Sequence, residues 1–198
     1  MINYNIIKQI KDYADKNNVP IMSDSGIDYL IKYIKDNNIK KILEIGTAIG
    51  YSSIMMAMSN PLVHIVTIEK DKERYIKALK NIKKMNLENR ITLIYKDALE
   101  VKLDEKFDLI IIDAAKSKNL EFFSHFEKNL EVNGSVITDN MSFHGYVEKD
   151  LSEIPSRNIR GLVKKIRKYM DFLENNIKYK TSYYNIGDGI SVTERRLS

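Results

Sequence analysis

Five short apolar runs constrain this chain more than any other feature: KKILEI (40–45), LVHIVTIE (62–69), RITLIY (90–95), FDLIIID (107–113) and GSVITD (134–139). Between them, 49–59, 71–86 and 117–130 carry apolar residues at helical spacing. β-rich runs of this length, bounded by turn signals and alternating with helices, predict a parallel sheet buried on both faces. Upstream, Ile6, Ile7, Ile10, Tyr13 and Ala14 predict a helix over 5–16. A second helix opens near SDSG, where Ser23, Asp24 and Ser25 are all candidate N-caps, and runs to about Asn37. A long helix is predicted over 157–175, and then two strands joined by GDG, a hairpin signal. The expected fold class is α/β: one doubly wound, mainly parallel sheet ending in an antiparallel hairpin.

At 198 residues the chain is the size of a single domain, 1–198, with 43% hydrophobic and 30% charged residues, as in soluble globular proteins. It has no apolar run of 18 residues, and the start MINYNIIKQIKDYADK lacks a signal-peptide core. The expectation is a cytoplasmic protein with no membrane partner. Zero cysteines exclude thiolate metal sites, so any metal is held by oxygen or by His, and three histidines weigh against a zinc site. The net charge of +5 is only mildly basic, so its distribution matters more than its sum.

Ligands of open parallel sheets bind beyond the carboxyl ends of the strands. The first strand runs into EIGTAIG, with Gly46 and Gly50 but Ala48 between them. A pyrophosphate usually needs a glycine at that central place, so the turn suits a nucleoside without phosphate, such as S-adenosylmethionine, with Glu44 orienting the turn. Glu69, closing the second strand, can accept both ribose hydroxyls, and Asp97 with Ala98 follows the third strand where an adenine would lie. Each feature alone also reads as a capped turn or a solvated acid; three at successive strand ends read together as a cofactor site. The fourth and fifth strands end in Asp113 and in Asp139-Asn140. Three oxygen ligands without His or Cys match a hard divalent cation, best Mg²⁺. Lys116, three residues after Asp113, is placed to act as a general base beside that cation, although alone it reads as a surface lysine.

LEIGTAIGYSS, VTIEKD, IIIDAAK, ITDN and the closing GDGISV occur in an order and spacing that resembles the cation-dependent class I O-methyltransferases, the group of catechol and caffeoyl-CoA O-methyltransferases. The resemblance covers roughly residues 20 to 198. It implies a Rossmann-like, seven-stranded sheet with S-adenosylmethionine at its C-terminal rim and a homodimer. It places Met22, Ser52, Glu69, Asp97, Ala98 and Asp113 at the cofactor, where the reading of the turn adds Glu44 and Gly46, with Asp113, Asp139 and Asn140 at Mg²⁺ and Lys116 as the base.

The acceptor must then present two adjacent oxygens. The segment SRNIRGLVKKIRKYM carries Arg157, Arg160, Lys164, Lys165 and Arg167 with no acid, and a basic helix face here reads as a solvated surface or as a phosphate-binding strip. The segment also resembles the bacterial branch that methylates wobble 5-hydroxyuridine in tRNA to 5-methoxyuridine, making the tRNA anticodon region the expected partner. A small-molecule acceptor with catechol-like or phenylpropanoid hydroxyls is the alternative, and Phe143 and His144 in TDNMSFHGYV could stack on either. An NAD-dependent dehydrogenase on a similar sheet and a noncatalytic nucleotide-binding module are further readings; Ala48 and the Asp139-Asn140 pair count against the first, the intact cation set and Lys116 against the second.

Overall fold

Each apolar run becomes a strand, and helices separate most of them; the third and fourth are joined through only a 3₁₀ turn (Ala98–Glu100) and the last two by a hairpin. The computed structural model describes residues 2–196; of the expected 1–198 domain, Met1, Leu197 and Ser198 lie outside the described residues. The elements are α1 (Ile2–Lys16), α2 (Asp24–Asp36), β1 (Lys41–Ile45), α3 (Tyr51–Ser59), β2 (His64–Glu69), α4 (Lys72–Lys84), β3 (Ile91–Tyr95), β4 (Phe107–Ile112), α5 (Asn119–Phe126), β5 (Leu130–Asp139), α6 (Arg157–Glu174), β6 (Tyr179–Tyr184) and β7 (Ile190–Arg195). Ser23 caps α2, its hydroxyl accepting from the Gly26 N–H.

The sheet has seven strands in the order β3-β2-β1-β4-β5-β7-β6. The first five are parallel, and β7 lies antiparallel between β5 and β6. The order reverses at β1, so the ends of β1 and β4 form the switch point where such sheets bind ligands. Alternation along the central strands sends side chains into two cores. Ile42, Leu109 and Ile111 pack with α1–α4 residues such as Ile10, Leu30, Ile54 and Ile82. Leu43, Ile45, Ile110 and Ile112 pack with Phe122, Phe123, Tyr169 and Leu173 of α5 and α6. Burial on both faces is why these runs are continuously apolar rather than alternating.

One boundary differs from expectation. The helix predicted over 117–130 is a 3₁₀ turn (Lys116–Lys118), the short α5 and a second 3₁₀ turn, and Leu130 already starts β5. The reason is a register shift: Phe107 pairs with Leu130 but Leu109 with Ser135, so 131–133 bulge out, exposed, beside β4. A single exposed valine, Val132, between Glu131 and Asn133 carries no strand signal.

Candidate active site

The glycine turn is shaped first by the protein itself. Gly46 has φ +100°, and a Cβ there would stand 2.1 Å from the backbone oxygen of Asp113. The turn is clamped between Gly46 N–H donating to Ile68 O and Asp113 N–H donating to Ile45 O, both at 3.0 Å. A glycine is therefore demanded by the neighbouring β4 end, whatever ligand lies above it.

Beyond the strand ends lies a cavity of about 550 Å³, a volume suited to a nucleoside-sized ligand together with a small second reactant. Met22, Gly46, Ser52, Glu69, Asp97, Ala98, Asp113, Lys116, Asp139 and Asn140, the expected cofactor and cation residues with one exception, all line it. That exception is Glu44. It is 0% exposed, and its carboxylate accepts from the hydroxyls of Ser52, Ser53 and Thr67. Assigned to cofactor contact from sequence, Glu44 instead welds β1, the N-terminal turn of α3 and β2 together beneath the turn. Ser52, whose hydroxyl is spent on Glu44, faces the cavity with what remains of its surface.

Glu69 is braced for a ligand in a different way. One carboxylate oxygen accepts from the Ala48 N–H at 2.8 Å and the other from the N–H groups of Lys70 and Asp71 at 2.9 and 2.8 Å. These bonds fix the carboxylate: Oε1 already accepts twice, and Oε2, accepting once, keeps an acceptor site for a ligand. Asp97 caps the following 3₁₀ turn through the Leu99 N–H, and that bond, with Lys118 and Lys70 nearby, holds its carboxyl below the usual range. Pro20, Ile21, Met22 and Ser23, the strap between α1 and α2, also line the cavity. Asp24 follows the strap, taking Lys11 of α1 at 2.7 Å and the Tyr51 hydroxyl of α3 at 3.2 Å.

The ends of β4 and β5 have another character. Asp139 is 6% exposed, and burial together with the charge of Asp113 pushes its carboxyl up to about 7, against the pull of the Asn140 N–H and Lys116. Asp113 is raised too, by burial, with Lys116 opposing. Among the described residues no three His, Cys, Asp or Glu side chains converge on one point. The set is two carboxylates and one amide, all oxygen donors, with negative charge that the chain does not balance. That chemistry fits a hard divalent cation. The following loop is contorted: Asn140, Phe143 and His144 have φ of 62°, 47° and 56°, and Gly145 75°. Left-handed backbone at three non-glycine residues collects where surrounding structure forces it, commonly at functional sites. Phe143 and His144, ring centroids 5.3 Å apart, line the cavity beside Lys116. Asp188, at the hairpin tip, lines it as well, although GDG reads from the sequence as a hairpin turn and a family motif with no site role.

The basic helix face is not the free strip expected. None of Arg157, Arg160, Lys164, Lys165 and Arg167 lines the cavity. Arg160 donates to the carbonyls of Ile154 and Pro155, and Arg167 to those of Val147 and Lys149. Both guanidiniums tie the 141–156 loop to α6, so they are corrected from candidate phosphate ligands to loop anchors. Arg157, Lys164 and Lys165 stay exposed. α6 packs against the Lys116–Lys118 turn as well as against β6 and α5.

The profile of the O-methyltransferase family matches residues 2–196. Caffeoyl-CoA O-methyltransferase of Populus kitakamiensis is 28% identical over 93% of this chain and 82% of its own length. Flavonoid 3',5'-methyltransferase of Vitis vinifera is 29% identical over 90% of this chain and 78% of its own. Among solved structures, a Staphylococcus aureus protein named as a candidate caffeoyl-CoA O-methyltransferase is 38% identical, with 96% of this chain and 92% of that one covered and a TM-score of 0.91.

Proposed function

Since the chain belongs to the O-methyltransferase family and is an S-adenosylmethionine-dependent O-methyltransferase, we propose that its acceptor is a small molecule with two adjacent oxygens, of the catechol or phenylpropanoid kind. The observation that carries this reading is the lining of the cavity: aromatic Phe143 and His144, apolar Pro20, Ile21 and Met22, and Lys116 beside the paired acids. That is a slot for a flat ring with polar edges. The names of the relatives point the same way. The tRNA 5-hydroxyuridine reading rested on a basic strip beside the mouth, and two of its five residues are engaged in holding a loop.

In this reading Glu69, Asp97, Ala98, Met22 and Ser52 hold S-adenosylmethionine along the β1–β3 ends, while Asp113, Asp139 and Asn140 hold Mg²⁺. The donor supplies an electrophilic methyl on a sulfonium, and the cation supplies Lewis acidity toward the acceptor oxygens. Lys116 takes the acceptor's hydroxyl proton at Nζ. Phe143 and His144 orient the ring so that its oxygen faces the donor, an alignment that supplies much of the rate. Pro20, Ile21 and Met22 keep water from the reacting atoms. A homodimer is part of the same proposal, and sedimentation equilibrium reads its mass.

The test is transfer of labelled methyl to a panel of catechols, caffeoyl esters and flavonoids beside tRNA carrying 5-hydroxyuridine. Labelling of vicinal-oxygen small molecules is expected. Labelling of the tRNA alone overturns the reading.

A further inference from the structure

Asp188 sits at the tip of the β6–β7 hairpin, far along the chain from the residues it touches. One of its carboxylate oxygens accepts from the His144 N–H and the other from Asn140 Nδ2 at 3.4 Å. The His144 ring nitrogen stands 3.7 Å from that second oxygen. The turn backbone adds two bonds of 2.9 Å, Ser142 N–H to Asp188 O and Met141 N–H to Gly189 O. Gly189 has φ +86°, and a Cβ there would lie 2.7 Å from Ser142 N, so the two segments are in the closest contact that backbones allow. This dock lies against the left-handed stretch of Asn140, Phe143 and His144 and bonds the backbone of Met141, Ser142 and His144 within it.

The contact with Asn140 has a chemical consequence. A terminal amide can rotate by half a turn with little steric change, exchanging its oxygen and nitrogen. A carboxylate at hydrogen-bond distance removes that freedom, because only the N–H₂ end can face it. With Nδ2 fixed toward Asp188, Oδ1 is held on the opposite side of the amide.

We propose that Asp188 is a positioning residue, fixing the amide of Asn140 and the loop that follows so that Asn140 Oδ1 is preset as a cation ligand. This rests on the reading of Asn140 as part of the cation site. It assigns the closing GDG turn a chemical task besides joining two strands. Supporting side chains of this kind typically change metal affinity 10–100-fold when removed.

The test is Mn²⁺ binding, followed by the electron paramagnetic resonance signal of the free ion, in wild type, Asp188→Ala, Asp188→Asn, Asn140→Ala and the Asp188→Ala/Asn140→Ala double variant. No acceptor or donor is added, so turnover plays no part. Asp188→Ala is expected to weaken Mn²⁺ binding about 10–100-fold. The isosteric Asp188→Asn, which sets an N–H₂ group against one of two donors, is expected to weaken it less. In the Asn140→Ala background the Asp188→Ala loss is expected to vanish, since one residue acts through the other. Losses that add in the double variant would make Asp188 a direct ligand and overturn the proposal. Full affinity in Asp188→Ala, with wild type binding and Asn140→Ala impaired, overturns it alone. A wild type that does not bind Mn²⁺ removes the cation reading and the proposal together.

Discussion

Glu44 and Asp139 are both buried carboxylates at the C-terminal side of the same sheet, and burial raises the carboxyl of each, but only Glu44 is satisfied by the chain. Three hydroxyls converge on it from α3 and β2. Asp139 accepts one backbone N–H, from Asn140, and faces Asp113 and Asp188 as like charges. The β1–β2 end is a scaffold complete in itself, built to hold a turn still. The β4–β5 end carries negative charge that costs stability until something positive arrives. Buried polar groups that the chain completes serve packing, and those it leaves unbalanced mark chemistry.

The comparison is broken hardest at Lys116, whose charge opposes the raised carboxyls of both Asp113 and Asp139. Lys116→Ala is expected to lower the methyl-transfer kcat about 10²–10⁴-fold, with donor affinity near wild type and Tm somewhat lowered by the loss of the cation opposite the buried acids. Stopped-assay kinetics and a thermal melt check this together. Gly46→Ala attacks the scaffold end, where a Cβ meets the Asp113 carbonyl and the backbone is left-handed. A stability loss of about 3 kcal/mol or more is expected in denaturant unfolding.

Glu44→Gln sharpens the contrast through pH. Because its folded-state carboxyl is raised from the ordinary 4.5, ionising Glu44 is harder in the folded protein than in the unfolded chain. Its stabilising contribution is thus fullest below about pH 4.5 and declines as pH rises from there toward the folded value. Melts from pH 4.5 to 8 are expected to show the Tm difference between wild type and Glu44→Gln moving in favour of glutamine as pH rises. A difference that does not change with pH contradicts a raised Glu44.

The smallest effect is expected at the exposed basic residues of α6. Replacing Arg157, Lys164 and Lys165 together by Gln is expected to change small-molecule methylation by less than about twofold, as for surface substitutions generally. Steady-state kinetics with a catechol acceptor measures it.

What the sequence displayed and what it hid follow from how far each interaction reaches. The strands were legible because burial on both faces leaves continuous apolar runs, and the cavity residues because strand ends are where such runs stop. The start of β5 was hidden by its bulge, since 131–133 are exposed and look like loop. Glu44 was misassigned because the spacing to Ser52 and Ser53 does not show that their hydroxyls fold back onto it. Asp188 was passed over because its partner Asn140 is 48 residues away, across the sheet's antiparallel edge. A helical pattern placed Arg160 and Arg167 on one face of α6, but not that both guanidiniums reach back to loop carbonyls.

The central claim is that the unbalanced carboxylates of β4 and β5 hold a divalent cation on which methyl transfer depends. The direct measurement is the initial rate of transfer from S-adenosylmethionine to a catechol acceptor, first with protein stripped by chelator and then with Mg²⁺ restored. The account predicts loss of transfer on stripping and recovery with Mg²⁺ in wild type, and no recovery in Asp139→Asn. An unchanged rate in the presence of excess chelator would contradict it.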